Sequence, residues 1–279
     1  MNHLMQNETI KKATFARGLS SVLYYPAFAF PFKEEENNTT QNYKTEAGTL
    51  LKLTKKRCAL QSLAIKQHLS HVLGTEQINS QYLFPHDAII SLSMVEPIFQ
   101  KALWNNMNSF TKACYTPEEF VMQTMTFGGV SWDSYFHDGK NHDKKEEQDA
   151  KRKLLQAVLT LHQHDVTHND ILSRNIVIDA KGCLRLIDWE FAVLHYDDTK
   201  LEPLLNNLGP FSFLRFTEVM NRFNTDFHGQ VREDWKRVWQ IIDNFNGIRW
   251  IDIRNTKELD CCIQEMLLSQ RDIKRKRCY

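Results

Sequence analysis

From Val166 to Val193 the chain reads Val-Thr-His-Asn-Asp-Ile-Leu-Ser-Arg-Asn-Ile-Val-Ile-Asp-Ala-Lys-Gly-Cys-Leu-Arg-Leu-Ile-Asp-Trp-Glu-Phe-Ala-Val. Two short apolar segments, Ile176-Val177-Ile178 and Leu184 to Ile187, flank Asp179-Ala-Lys-Gly182. A glycine in such a stretch suits a tight reversal, so the spacing predicts a β-hairpin. Folding about Lys181-Gly182 sets Asn175 opposite Asp188, with alpha carbons about 5 Å apart, and sets Val177 opposite Leu186. Asp170 lies on the loop that feeds the hairpin. Three oxygen-bearing side chains then converge on one small volume. Each alone fits an ordinary surface hairpin with polar ends; their joint order and spacing do not.

Magnesium is a hard cation that commonly takes one or two carboxylates and completes its shell with phosphate oxygens. Phosphoryl transfer needs phosphate charge neutralised and a base near the attacking hydroxyl. Asn175 and Asp188 suit the first task as metal ligands, and Asp170 suits the second. The pattern points to chemistry that uses ATP and Mg2+.

Here the chain resembles the protein-kinase-like superfamily. His168-Asn169-Asp170 with Asn175 is similar to the catalytic loop His-x-Asp-x-x-x-x-Asn, and Asp188-Trp189-Glu190 stands where protein kinases have Asp-Phe-Gly. The wording is nearest to choline and ethanolamine kinases, and aminoglycoside phosphotransferases are similar over the same stretch. Asn169 replaces the Arg that often precedes the catalytic Asp in protein kinases. Leu172 replaces a Lys near the transferred phosphate, and Glu190 replaces the Gly. These departures favour a small-molecule alcohol as acceptor. Arg174, which resembles the Arg of the tyrosine-kinase loop, keeps a divergent protein kinase as the alternative, and a non-catalytic pseudokinase scaffold is a third.

The flanking sequence extends the resemblance. Residues 146–163 place Ala150, Leu154, Ala157, Val158 and Leu161 on one helical stripe, led by acidic residues. Phe120 to Val130 reads as a strand ending in a Gly128-Gly129 bend, similar to the last small-lobe strand and its hinge. The resemblance implies a reduced phosphate-covering loop at Gly18 to Val22, a phosphate-binding lysine at Lys33 and a pairing glutamate at Glu46. Lys44 and Lys52 compete with Lys33, and Glu34 to Glu36 compete with Glu46. Trp235, Trp239, Ile242 and Phe245 recur at helical spacing and predict a core stripe.

The expected architecture is therefore α+β and bilobal: residues 1–127 a small mixed-sheet lobe, residues 128–279 a mainly helical lobe. The chain's 279 residues suffice for such a core. Its 42% hydrophobic and 25% charged content is that of a globular protein, and a net charge of +1 gives no reason to expect nucleic acid as partner. No apolar run approaches the roughly 20 residues that span a membrane. Cys58, Cys114, Cys183, Cys261, Cys262 and Cys278 show no metal-binding spacing, and no secretory signal is visible, which leads to an expectation of a reducing, cytoplasmic compartment. The basic tail Arg271 to Tyr279 reads as a solvated end and only weakly as a nuclear signal. His137 and His142 read as surface histidines.

Overall fold

The computed structural model describes residues 10, 13–17, 21–33, 40–43, 48–136, 144–195 and 227–243. Gly18, Glu46, His137, His142, Phe245 and the basic tail lie outside the described residues. The first half holds β1 (Thr14–Arg17), β2 (Ser21–Tyr24), β3 (Phe30–Lys33), β4 (Thr40–Tyr43), β5 (Thr49–Lys55), α1 (Lys56–Leu73), α2 (Thr75–Gln81), β6 (Ile89–Ser91), α3 (Pro97–Asn105), α4 (Ser109–Cys114) and β7 (Phe120–Thr126). There follow β8 (Val130–Ser131), α5 (Trp132–Phe136), α6 (Lys144–Gln163), β9 (Val166–Thr167), β10 (Ile176–Ile178), β11 (Leu184–Leu186), β12 (Val193–Leu194) and α7 (Phe227–Asp243). An antiparallel sheet followed by helices makes this an α+β protein with a kinase-like order of elements.

The first sheet runs β1-β2-β5-β7-β6, and every pairing in it is antiparallel, where the sequence had suggested a mixed sheet. Its central strand β5 is buried at all positions but the last. Side chains alternate between faces along a strand. Leu51 and Leu53 enter one apolar cluster with Tyr24, Val22, Phe120 and Met122, capped by Ala102 and Leu103 of α3. Leu50, Lys52 and Thr54 consequently occupy the opposite face.

The second cluster gathers Ala150, Leu154, Ala157, Val158 and Leu161 of α6, the stripe expected from sequence, with Trp235, Val238, Ile241 and Ile242 of α7. It also recruits Ile65 and Leu69 of α1 and Ile78 of α2, so the first half of the chain contributes to both cores.

The β10–β11 hairpin forms, with a register one residue from that expected. Ile176 pairs with Leu186, Val177 with Arg185 and Ile178 with Leu184. Five residues, Asp179 to Cys183, make the reversal. Asp179 Oδ1 accepts from the N–H groups of Lys181 and Cys183 at 2.8 and 2.9 Å, and Gly182 supplies φ +73°. The shift has a hydrophobic cause: it puts Ile176, Ile178, Leu184 and Leu186 together in the second cluster.

Gly129, between β7 and β8, stands under a tight constraint. It adopts φ +115°, and a Cβ there would stand 2.1 Å from the Ile178 carbonyl oxygen on β10. Gly129→Ala is expected to destabilise the fold by about 2 kcal/mol or more through clash and backbone strain. Urea unfolding checks this.

Candidate active site

The loop from Thr167 to Asn175 is bracketed by two short pairings. β9 meets β12 at its start, and β10 begins at its end. Within it Asn169 takes a left-handed φ of +59°, a conformation that Asn tolerates better than most residues. Its side-chain nitrogen donates to Thr167 Oγ1, the Phe191 carbonyl and Gln230 Oε1. The turn presents Asp170 next to Asn175, whose Nδ2 donates to the Asp170 carbonyl at 2.9 Å and to Asp170 Oδ2 at 2.7 Å. These two predicted site residues are in direct contact.

Asp188 arrives from the other strand. Ile187 N–H donates to the Asn175 carbonyl at 2.9 Å, so Asp188 lies one residue beyond that rung rather than opposite Asn175. There it adopts φ +67°, ψ +72°, a strained left-handed turn. Trp189 holds the turn in place. Its ring is buried, stacks on Phe84 at 4.2 Å between centroids, and donates Nε1–H to the Leu83 carbonyl.

The lysine beside Asp188 is Lys52, not Lys33. Lys52 Nζ lies 3.0 Å from Asp188 Oδ1 and 3.1 Å from Glu190 Oε1. Burial opposes its charge, but the fields of Glu190 and Asp188 outweigh that and raise its pKa, so Lys52 stays an ammonium. Lys33 sits exposed at the end of the separate β3–β4 hairpin. The cause is alternation: Phe30 and Phe32 of β3 turn into or against the first cluster, and Lys33 turns outward. Val22 is likewise displaced from its expected role. It pairs with Leu53 and packs in the first cluster, on the sheet face away from Lys52; Leu23 is the β2 residue opposite Lys52.

The sequence reading also missed Asp234 on α7. It is fully buried, and its two carboxylate oxygens accept the backbone N–H groups of His168 and Asn169 at 2.7 and 2.8 Å. One acid therefore fixes the shape of the turn at His168-Asn169. The available signal was a carboxylate lying within the apolar stripe of Val231, Trp235 and Val238. Arg237, one turn on, donates to the Asn169 carbonyl and lies 3.5 Å from Asp170 Oδ1.

His168 is buried, and desolvation lowers its pKa, so the ring is neutral at physiological pH. Nε2 donates to the Ile187 carbonyl at 3.0 Å, and Nδ1 accepts from the Asp170 N–H at 3.3 Å. The imidazole thus ties the Asp170 loop to the segment that leads into Asp188.

The donor set fits a divalent ion shared with phosphates. Asn175 commits its amide nitrogen to Asp170, which leaves Oδ1 for a cation. Asp188 uses one oxygen on Lys52 and is 35% exposed, which leaves the other accessible. Among the described residues no group of three or more His, Cys, Asp or Glu could hold a metal ion unaided, so an ion here would draw its remaining ligands from phosphate and water.

The family model for the protein kinase domain matches residues 96–209. The chain is also similar to the mouse dual specificity protein kinase TTK, at 30% identity over 82 residues, 29% of this chain and 10% of that protein. It is 30% identical over 128 residues to the Schizosaccharomyces pombe serine/threonine-protein kinase cds1, covering 44% of this chain and 26% of that protein. The chain thus spans a small part of the length of these curated relatives. The likeness to the protein-kinase-like superfamily rests on these matches as well as on the loop, and they lie on the protein-kinase side of that superfamily.

Proposed function

We propose that this protein-kinase-like chain transfers the γ-phosphate of ATP, with magnesium, to hydroxyl groups of proteins. The observation that carries the reading is the cluster of Asp170 and Asn175 in direct contact, one rung from the Asp188–Lys52 pair.

In this reading Asp170 orients the acceptor hydroxyl and receives its proton. Asn175 and Arg237 hold that carboxylate in place from two sides. Lys52 donates to the phosphates of ATP, and its charge offsets theirs. A magnesium ion held by Asn175 and Asp188 would neutralise further phosphate charge. His168, being neutral and buried, props the loop and is not the base.

Protein as acceptor is favoured by the matched family and by both named relatives. Two of the three departures that suggested a small-molecule acceptor have other work in the structure. Asn169 bonds within its own loop and to α7, and Glu190 faces Lys52. The test is incubation with labelled ATP and Mg2+ against a mixed protein pool and a mixed metabolite pool. Label on protein is expected; label on metabolites alone would return the small-molecule reading, and Mg-ATP binding with no transfer would favour the scaffold reading. In the same assay Lys52→Ala is expected to lose about a hundredfold in rate, and Lys33→Ala to stay within about twofold.

A further inference from the structure

Lys52 is a buried cation whose first carboxylate partner, Asp188, is also the residue suited to a metal ion. A divalent ion on Asp188 would compete for that contact. Lys52 needs a second acid of its own, and protein-kinase-like sequences led to an expectation of one near Glu46 at the start of a helix. The helix that follows β5 is α1, and no Asp or Glu occurs in it from Lys56 to Leu73. Glu190 stands in its place. Its side chain is 6% exposed, against 35% for Asp188. Its Oε1 accepts from Lys52 Nζ at 3.1 Å and from Thr54 Oγ1 at 2.9 Å. Lys52 and Thr54 share one face of β5, so the strand's own alternation aims both at Glu190. Helix α1 joins the same segment from its side, where Gln61 Nε2 donates to the Ala192 carbonyl.

We propose that Glu190 is the positioning residue for the phosphate-binding Lys52, so that the acid that aims the lysine rides on the metal-binding loop and not on the neighbouring helix. This rests on the phosphotransferase reading above. It goes beyond that reading by assigning a residue and a coupling. The lysine and the Asp188 turn are set by one segment, Asp188 to Ala192, so displacing that segment would disable phosphate binding and metal binding together. Helix α1 carries no carboxylate through which its own movement could switch the lysine.

The test uses the full chain and fluorescent ATP titrated with Mg2+ present. Wild type is expected to bind. Glu190→Gln, nearly isosteric, is expected to weaken binding about tenfold, and Thr54→Val about threefold in the same direction. The decisive measurement is a double-variant cycle with Lys52→Met. If Glu190 acts through Lys52, adding Glu190→Gln to Lys52→Met changes nucleotide affinity by less than about twofold. Equal affinity of wild type and Glu190→Gln, or full additivity in the cycle, would overturn the assignment while leaving the phosphotransferase reading intact. A wild-type chain that binds no Mg-ATP overturns both. Thermal unfolding of each variant identifies loss of fold, and should Glu190→Gln not fold, Thr54→Val carries the same cycle with the same two outcomes.

Discussion

Asp170→Asn is expected to abolish phosphoryl transfer, by about a thousandfold or more, while Mg-ATP binding stays within about threefold of wild type. The substitution keeps the size of the side chain and removes the charge that would orient and accept a proton from the hydroxyl. Its Oδ2 already receives Asn175 Nδ2 at 2.7 Å, and Arg237 sits 3.5 Å from Oδ1. An amide oxygen can retain one of these contacts, so the loop should survive. Single-turnover transfer separates this loss from a binding defect. Unchanged transfer would remove Asp170 from the chemistry.

Asp234→Ala is expected to produce the largest effect among residues that would not touch substrate. It strands the buried N–H of His168, the part-buried N–H of Asn169 and the Nε2 contact of His162 at 3.2 Å. Hydrogen bonds to a buried charge contribute about 1.5–3 kcal/mol each, so a loss of about 3 kcal/mol or more of stability follows. At a temperature where the variant remains folded, the relaxed loop should cost about a hundredfold in transfer, because Asp170 is presented through that turn. Asp234→Asn, which keeps one acceptor oxygen, should fall between. Urea unfolding alongside the transfer assay distinguishes the two losses, and wild-type stability in the alanine variant would contradict the anchoring role.

The meeting of Asp170 with Asn175, the hairpin and the α6 stripe were legible because local patterns specify them: a turn glycine, apolar runs and 3.6-residue periodicity. The hairpin register was missed by one residue, although the sequence held the answer. Ile176, Ile178, Leu184 and Leu186 belong on one face, and only an odd reversal puts them there. Lys33, which the resemblance implied, ends a strand that belongs to a peripheral hairpin. Which strand sits at the centre of a sheet is a tertiary fact. The uninterrupted Thr49–Thr54 burial that marks β5 is only apparent once β2 and β7 flank it. Val22 missed by a single position, which in a strand means the opposite face. Asp234 was hidden by distance: its partners lie 65 and 66 residues away, and only the buried stripe around it hinted at a role.

Trp189 has a bearing on which small molecules could bind beside Asp188. Its indole is stacked on Phe84, edge-on to Tyr82 and tied to Leu83. A compound whose affinity depends on swinging the adjoining carboxylate outward would have to extract that ring, at about 3–5 kcal/mol by analogy with deleting a buried tryptophan. Such a compound would surrender roughly two to nearly four orders of magnitude in affinity before its first favourable contact. Chemistry aimed at this chain should leave the indole seated and compete for the space over Lys52.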